Sequence, residues 1–412
     1  MTQTVVPARD TAFDIRVLGD DDLRTASTLF RESLHLQPLD DEQWATWRGG
    51  YEPGRSYGAF AGDVMIGTVT SLATTMTVPG GAALPMAAVT AVGVRADHRR
   101  RGALTAMMRR QLEDLAAAGE PFATLHASEP TIYGRFGYGV GTLGRTVKVR
   151  SSRARLRDEV PTAGTVRLLT TDEALTLLPG AYPPLQPGRA AMMSRPPSWW
   201  VINYARRFTH EYLRVAAHHG AGGTIDGWVA YRPVGSDSDD PRVGNRLIVL
   251  DFQAAGHGVA NDLWRYLIGI DLVEEITAYL RPADDPIQAM VADLFALRAE
   301  VEDELYVRLV DVPRALAARE YGAAEPVAVE VVDPLLPNNS GTYLISPHGT
   351  EPASGPAQLT VTAEILAMVY LGTWRPSDLA AIGRLAAHDP SALAAADRLF
   401  GTDRPAWCGS LF

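Results

Sequence analysis

The stretch VGVRADHRRRGALTAMMRR, residues 92–110, restricts the fold more than any other. Valines alternating with small residues make a half-buried strand. Arg99, Arg100, Arg101 and then Gly102 interrupt it. From Gly102 onward Leu104, Met107, Met108, Leu112 and Leu115 fall at helical spacing and predict one buried helix face. A strand that turns through a short basic loop straight into a helix belongs to a layered α/β structure. It also gathers free backbone N–H groups and the positive end of a helix at one point, an arrangement that holds phosphate. A solvated arginine turn is the competing reading. Neither G-x-G-x-x-G at a strand end nor G-x-x-x-x-G-K-[ST] occurs, so a phosphate bound here belongs to neither a Rossmann dinucleotide nor a P-loop triphosphate.

The flanking sequence predicts three parts in the 412-residue chain, since one core does not grow to that size. In residues 1–150, FDIRVLG is a strand, LRTASTLFRESL and DDEQWATWR are helices, a hairpin turns at Gly62-Asp63, and PFATLHAS is a strand after the helix. Residues 151–297 repeat the order with YLRVAAHH, GWVAYRPV and RLIVLDFQA, the helix GVANDLWRYLIGI and the strand EEITAYL. AAGHGVA stands there in place of the arginine-glycine turn. In residues 298–412 strand and helix signals are intermixed, which predicts an α+β domain with 348–357 as a loop.

A formal net charge of −10 argues against nucleic acid and suits cationic partners or plain solubility. The one cysteine, Cys408, rules out an internal disulfide and a Cys-based metal site, and no metal is expected. The N-terminus lacks a signal-peptide pattern and no apolar run is long enough to span a bilayer, so a cytoplasmic protein without a membrane partner is expected. His218 and His219 show no carboxylate or third ligand at metal spacing and are expected to be structural.

HRRRGAL after a valine-alternating strand resembles the acetyl-CoA loop, R/Q-x-x-G-x-G/A, of the GCN5-related N-acetyltransferases (GNAT). Together with LHASEPTIYGRFGYG at 125–139, LWRYLIGID and a terminal aromatic residue, it is similar to the Eis (enhanced intracellular survival) acetyltransferases over essentially the whole chain. The resemblance implies two tandem GNAT-like domains, only the first active, then a sterol-carrier-protein-like domain, assembled as a homohexamer. It implies acetyl-CoA as co-substrate, its pantetheine arm along Val92, Gly93 and Val94 and its pyrophosphate on the amides of Arg99, Arg100, Arg101, Gly102, Ala103 and Leu104. Leu104 departs from the general pattern, which prefers Gly or Ala.

The Val94 N–H is then the oxyanion donor and Tyr133 the general acid for the departing thiolate, with Tyr138 its decoy. The α-carboxylate of Phe412 is the base or the anchor of a cationic substrate, in place of a frayed tail. Leu411 stands where the family often has a carboxylate. Glu32, Leu34, His35, Trp47, Thr90, Ala91 and Glu129 are the substrate-side candidates, with core packing the alternative for Leu34 and Trp47, and Ser128 is assigned to the cofactor side. The expected function is direct acetyl transfer to amines of aminoglycosides or similar polyamines at several positions. Acetylation of a lysine side chain and a non-catalytic lipid or sterol carrier are the alternatives.

Overall fold

The computed structural model describes residues 13–235 and 244–412. Its first segment runs β1 (Asp14–Val17), α1 (Asp20–Ser33), α2 (Asp41–Trp47), β2 (Ser56–Ala61), β3 (Val64–Thr77), β4 (Ala83–Val94), α3 (Ala103–Ala117), β5 (Phe122–Leu125) and β6 (Gly139–Val140). Next come β7 (Leu143–Arg150), β8 (Thr165–Leu169), α4 (Thr171–Ala181), α5 (Pro197–Trp200), α6 (Arg206–His210), β9 (Arg214–His219), β10 (Ile225–Val234), β11 (Asn245–Ala254), α7 (His257–Ile268), β12 (Val273–Pro282), α8 (Ile287–Met290) and β13 (Leu297–Asp303). The rest is β14 (Tyr306–Leu309), α9 (Val312–Ala318), β15 (Val327–Val332), β16 (Gly341–Ser346), β17 (Gly349–Pro352), β18 (Leu359–Thr362), α10 (Ala363–Tyr370), α11 (Pro376–Ala381), β19 (Ala386–Ala387) and α12 (Leu393–Phe400).

Three sheets result. The first has the order β1-β2-β3-β4-β5-β14-β6 and the second β8-β9-β10-β11-β12-β7-β13, so the repeat seen in the sequence pattern is a repeat of sheet topology. Each contains one parallel pair, β4 with β5 and β11 with β12. The third sheet, β17-β16-β15-β18-β19, carries the last segment. Residues 349–352, expected to lie in a loop, instead form β17 on β16, because Gly349 at φ +127° closes a tight turn that brings the chain back along β16.

The first two sheets exchange strands. β7, from before the expected boundary at 150, lies in the second sheet between β12 and β13; β14, from beyond the expected boundary at 297, lies in the first between β5 and β6. The two crossing segments are bonded to each other. Gly141 N and Thr142 N donate to Leu305 O at 2.9 and 3.2 Å, and Glu304 N donates to Thr142 O at 3.1 Å. Separating the two units would therefore break both sheets.

The third unit is pressed onto the first. A Cβ on Gly139 would lie 2.3 Å from Glu364 O of α10, so only glycine admits that helix against β6. Arg308 of β14 and Asp333, both fully buried, are joined at 2.6 Å between the same two units. Among the described residues no helix is long and apolar enough to cross a membrane.

Candidate active site

β4 pairs with β5 only from Met86 to Ala88; beyond that the two strands part. β4 stays on β3, with a register break between Thr68 and Thr70 that gives Ala91 a φ of +50°. Arg95 N donates to Ile66 O, which fixes the phase of that ladder. Its neighbour Val94 therefore turns its N–H away from β3 and toward the opening between β4 and β5. Gly93 lies under α1: a Cβ there would meet Ser33 Oγ at 2.6 Å and Phe30 Cα at 3.1 Å.

The basic loop follows. Arg99, Arg100, Arg101 and Gly102 are exposed, with Arg100 at φ +61° and Gly102 at φ +98°. α1 opens with three aspartates in its first turn and α2 is capped by the Asp40 side chain, but α3 has neither a side-chain cap nor an acidic residue in its first turn. The first amides of α3 are left without intrahelical partners. Ala103 is buried and Leu104 half-buried, so the helix is set by its apolar face while its N-terminus stays open.

Across the opening, Tyr133 lies in a short turn at 5% exposure, its ring 6.0 Å from that of Tyr138 and 6.4 Å from that of Tyr306. Its hydroxyl has no hydrogen-bond partner among the described residues. Burial, with a smaller contribution from the Glu129 carboxylate, raises its pKa to about 12, so the phenol holds its proton throughout the neutral range. Tyr138 is fully buried and its hydroxyl is also unpartnered. Of the two, only Tyr133 retains any exposure.

The last residues are docked, not frayed. Trp407 donates from Nε1 to Leu280 O, and Cys408 N and Gly409 N donate to the two oxygens of Glu304 at 3.2 and 2.7 Å. Gly409 O accepts from Arg195 and Gln253, and Ser410 Oγ accepts from Arg195 Nε at 3.0 Å. Arg195 is itself held between the rings of Tyr182 and Trp199 at 4.1 and 4.0 Å and paired twice with Asp251. Burial is the largest single influence on Asp251 and would raise its pKa, but the Arg195 charge together with hydrogen bonds from Arg195, Tyr204 and Gln253 keeps the carboxylate below its ordinary value.

The His126 Nδ1 and Nε2 lie 2.7 and 2.9 Å from the carbonyl oxygens of Glu304 and Ser410, and the Phe412 ring packs on the imidazole at 4.7 Å. Trp199 Nε1 donates to Leu411 O at 2.7 Å. His126 directly follows Leu125, whose partner across the sheet, Tyr306, touches Tyr133. The tail thus docks just past the end of β5, one residue beyond the position that faces Tyr306.

Family models match at three places: acetyltransferase (GNAT) domains at residues 14–141 and 191–309, and a sterol carrier protein domain at 312–409. The chain is 40% identical to an uncharacterised N-acetyltransferase of Streptomyces coelicolor over 415 residues, 91% of this chain and 98% of that one. It is 31% identical to N-acetyltransferase Eis of Mycobacterium tuberculosis over 366 residues, 84% of this chain and 86% of that one. The crystal structure of Eis1 from Mycobacterium abscessus superposes with a TM-score of 0.85 at 34% identity, covering 97% of this chain and all of that one. The chain belongs to the Eis-type N-acetyltransferases.

In this Eis-type enzyme Val92, Val94, Thr90 and Ala91 line or approach the open edge of β4. Glu32, Leu34 and His35 are exposed at the end of α1, which rests on Gly93 of that strand. Trp47 is half-buried, and its ring faces the Arg206 guanidinium at 5.7 Å, a cation–π contact from the second unit. Ser128 and Glu129 are exposed, a few residues before Tyr133. His218, expected to be structural with no carboxylate or third ligand at metal spacing, lies between Asp226 at 2.5 Å and Asp262 at 3.2 Å. Those carboxylates are 8 and 44 residues away in sequence, so no local spacing announces them. Asp262 also accepts from Ala163 N and Gly164 N, which makes the cluster a structural tie.

Sequence reasoning missed the residues that hold the tail: His126, Glu304, Arg195, Trp199, Asp251 and Gln253. Glu304 is 1% exposed, and burial raises its pKa to about 7 against the opposing effect of Gly409 N–H, Thr142 O–H and Cys408 N–H. The only signal available was the unusual density of aromatic residues at SRPPSWWVINY beside a lone arginine.

Proposed function

We propose that the protein transfers the acetyl group of acetyl-CoA to amines of aminoglycosides or similar polyamines by direct attack, at more than one position. The observation that carries this reading is the opening between β4 and β5. An unpaired strand edge and the uncapped start of α3 border it on one side, and Tyr133 and the docked tail lie on the other. The edge at Val92, Gly93 and Val94 suits main-chain pairing with a peptide-like pantetheine arm. The free amides from Arg99 to Leu104 suit its pyrophosphate, with Ser128 nearby.

The Val94 N–H would donate to the thioester oxygen as charge develops there. As the amine nitrogen bonds to the acetyl carbon and the C–S bond breaks, Tyr133 Oη supplies the proton that the thiolate takes. The Phe412 carboxylate accepts the amine proton or anchors the ammonium form. Glu32, Glu129 and the overall charge of −10 favour a cationic acceptor. We further propose residues 1–150 as the catalytic part, 151–297 as a GNAT-like part without acetyl-CoA, and 298–412 as the sterol-carrier-like part. A cytoplasmic homohexamer is part of the same reading. Leu294 and Phe295, in the turn that leads into the edge strand β13, and Val301 within it are 62%, 85% and 64% exposed, apolar surface of the kind that subunit contacts cover.

CoA release measured with aminoglycosides, simple diamines and a lysine peptide tests the acceptor, and the same assay on a chain extended by one residue after Phe412 tests the carboxylate. Turnover on aminoglycosides that is lost on extension is the expected result. Turnover on the peptide alone would make the protein a lysine acetyltransferase, and unchanged turnover after extension would remove Phe412 from the mechanism.

A further inference from the structure

The second sheet repeats the opening of the first. β11 pairs with β12 in parallel from Asn245 to Val249 and then leaves it, staying on β10 as far as Ala254. At this second opening lies a cleft with about 670 Å³ of free space. Its floor is the end of β11, its far side the start of α7, and its near side Arg281 of β12; Arg189, Arg404 and Trp407 close it.

The cleft is cationic. α7 is 12 residues long, starts after Gly256, and has neither a side-chain cap nor an acidic residue in its first turn. Three guanidinium groups share two carboxylates: Asp284 accepts from Arg189 and Arg404, and Asp285 accepts from Arg281 Nε at 2.7 Å. Within the lining the guanidinium groups outnumber the carboxylates three to two, with Glu304 behind Arg189 the next nearest acid. Arg189, 5% exposed, keeps a buried Nε–H with no partner among the described residues. Its pKa is lowered by burial first, and then by the neighbouring Arg404 and Arg281 charges. A buried N–H donor beside surplus positive charge and free helix amides is what an anion would satisfy.

A second orphan narrows the class. Gln253, fully buried at the end of β11, donates from Nε2 to Asp251 and Gly409 O, while its Oε1 has no donor among the described residues. That oxygen needs a hydroxyl or amide donor; the organic part of a phosphate ester brings one beyond the phosphate, where inorganic phosphate offers only its own P–OH. Trp407 adds an aromatic wall, with the Arg189 guanidinium 5.5 Å from its ring centre.

We propose that the opening between β11 and β12 is a binding site for a phosphate-bearing organic anion, separate from the opening between β4 and β5. It is no vestige: its charge comes from Arg189 and Arg404, side chains outside the duplicated β11–α7–β12 unit. Because Gln253 and Trp407 also hold the tail, an occupant would brace the segment that ends at Phe412.

The test is equilibrium dialysis of the full chain without CoA, itself a phosphate-bearing organic anion that would compete at the second opening; the two variants below assign the binding to that opening. The probes are glucose 6-phosphate, glycerol 3-phosphate, adenosine 5′-monophosphate and inorganic phosphate. Saturable binding of one equivalent of an organic phosphate is expected, with inorganic phosphate about tenfold weaker. His257→Asp places a carboxylate at the exposed start of α7, where it favours the helix, so the variant folds. It should weaken binding about tenfold or more, as should Arg189→Met. Absence of saturable binding at millimolar probe overturns the proposal, and so does binding that both variants leave unchanged. Equal affinity for inorganic phosphate overturns the assignment to an organic anion.

Discussion

Glu304→Gln isolates the residue on which the tail and the crossing segments meet. The wild-type carboxyl ionises near 4.5 when solvated and at about 7 in the native chain, chiefly because it is buried. Between those values the native state binds a proton that the unfolded state has released, so stability falls as pH rises through that window. The difference corresponds to about 3 kcal/mol, fully present below pH 4.5 and lost above about pH 7. Glutamine resembles the protonated form and does not titrate. It keeps an acceptor for Gly409 N but turns its NH₂ toward Cys408 N, a pH-independent loss of about 1 kcal/mol.

An unfolding entropy of about 2 cal/mol/K per residue makes 1 kcal/mol worth about 1 °C in a chain of 412 residues. Calorimetric scans at one heating rate from pH 4.5 to 8 should therefore show wild-type Tm minus variant Tm falling by about 3–4 °C, from positive at the acid end to negative at the alkaline end. A difference that is flat, or that grows with pH, would refute the burial argument for Glu304.

Tyr133→Phe keeps the ring between Tyr138 and Tyr306 and removes only the hydroxyl, so kcat should fall by about 10²–10⁴ with little change in Tm, while Tyr138→Phe leaves kcat nearly unchanged. Steady-state rates that fall equally in both variants would undo the assignment. Gly102→Val forces a β-branched residue to φ +98°, so the KM for acetyl-CoA should rise and stability drop by about 1–3 kcal/mol, read by kinetics and thermal melts. Gly139→Ala drives a methyl into Glu364 O and should lower stability by about 1–3 kcal/mol, without the KM change of Gly102→Val. Phe295→Glu alters a side chain 85% exposed in one chain; light scattering should show a smaller assembly at unchanged subunit fold, and an unchanged mass would place subunit contacts elsewhere.

What the sequence determined by itself is local. Period-two valines, the arginine-glycine break and the apolar spacing from Met107 to Leu115 define β4, the basic loop and α3, because each follows from neighbours a few residues apart. The same logic exposes the repeat in the second unit and marks Tyr133 once the motif around it is seen. Other features depended on distance. That β7 and β14 trade sheets is decided by pairing between residues more than 100 apart, which no periodicity encodes: Val147 meets Ala278, and Val307 meets Thr124.

The glycines of YGRFGYG read as turn residues, yet Gly139 is needed because α10, from the far end of the chain, presses on it. The carboxylate of Glu304 looks like any exposed charge in EVEDELY. Only folding buries it, shifts its ionisation and gives it the amides of residues 408 and 409. A charge takes its role from the dielectric and donors around it, and those arrive with the tertiary structure.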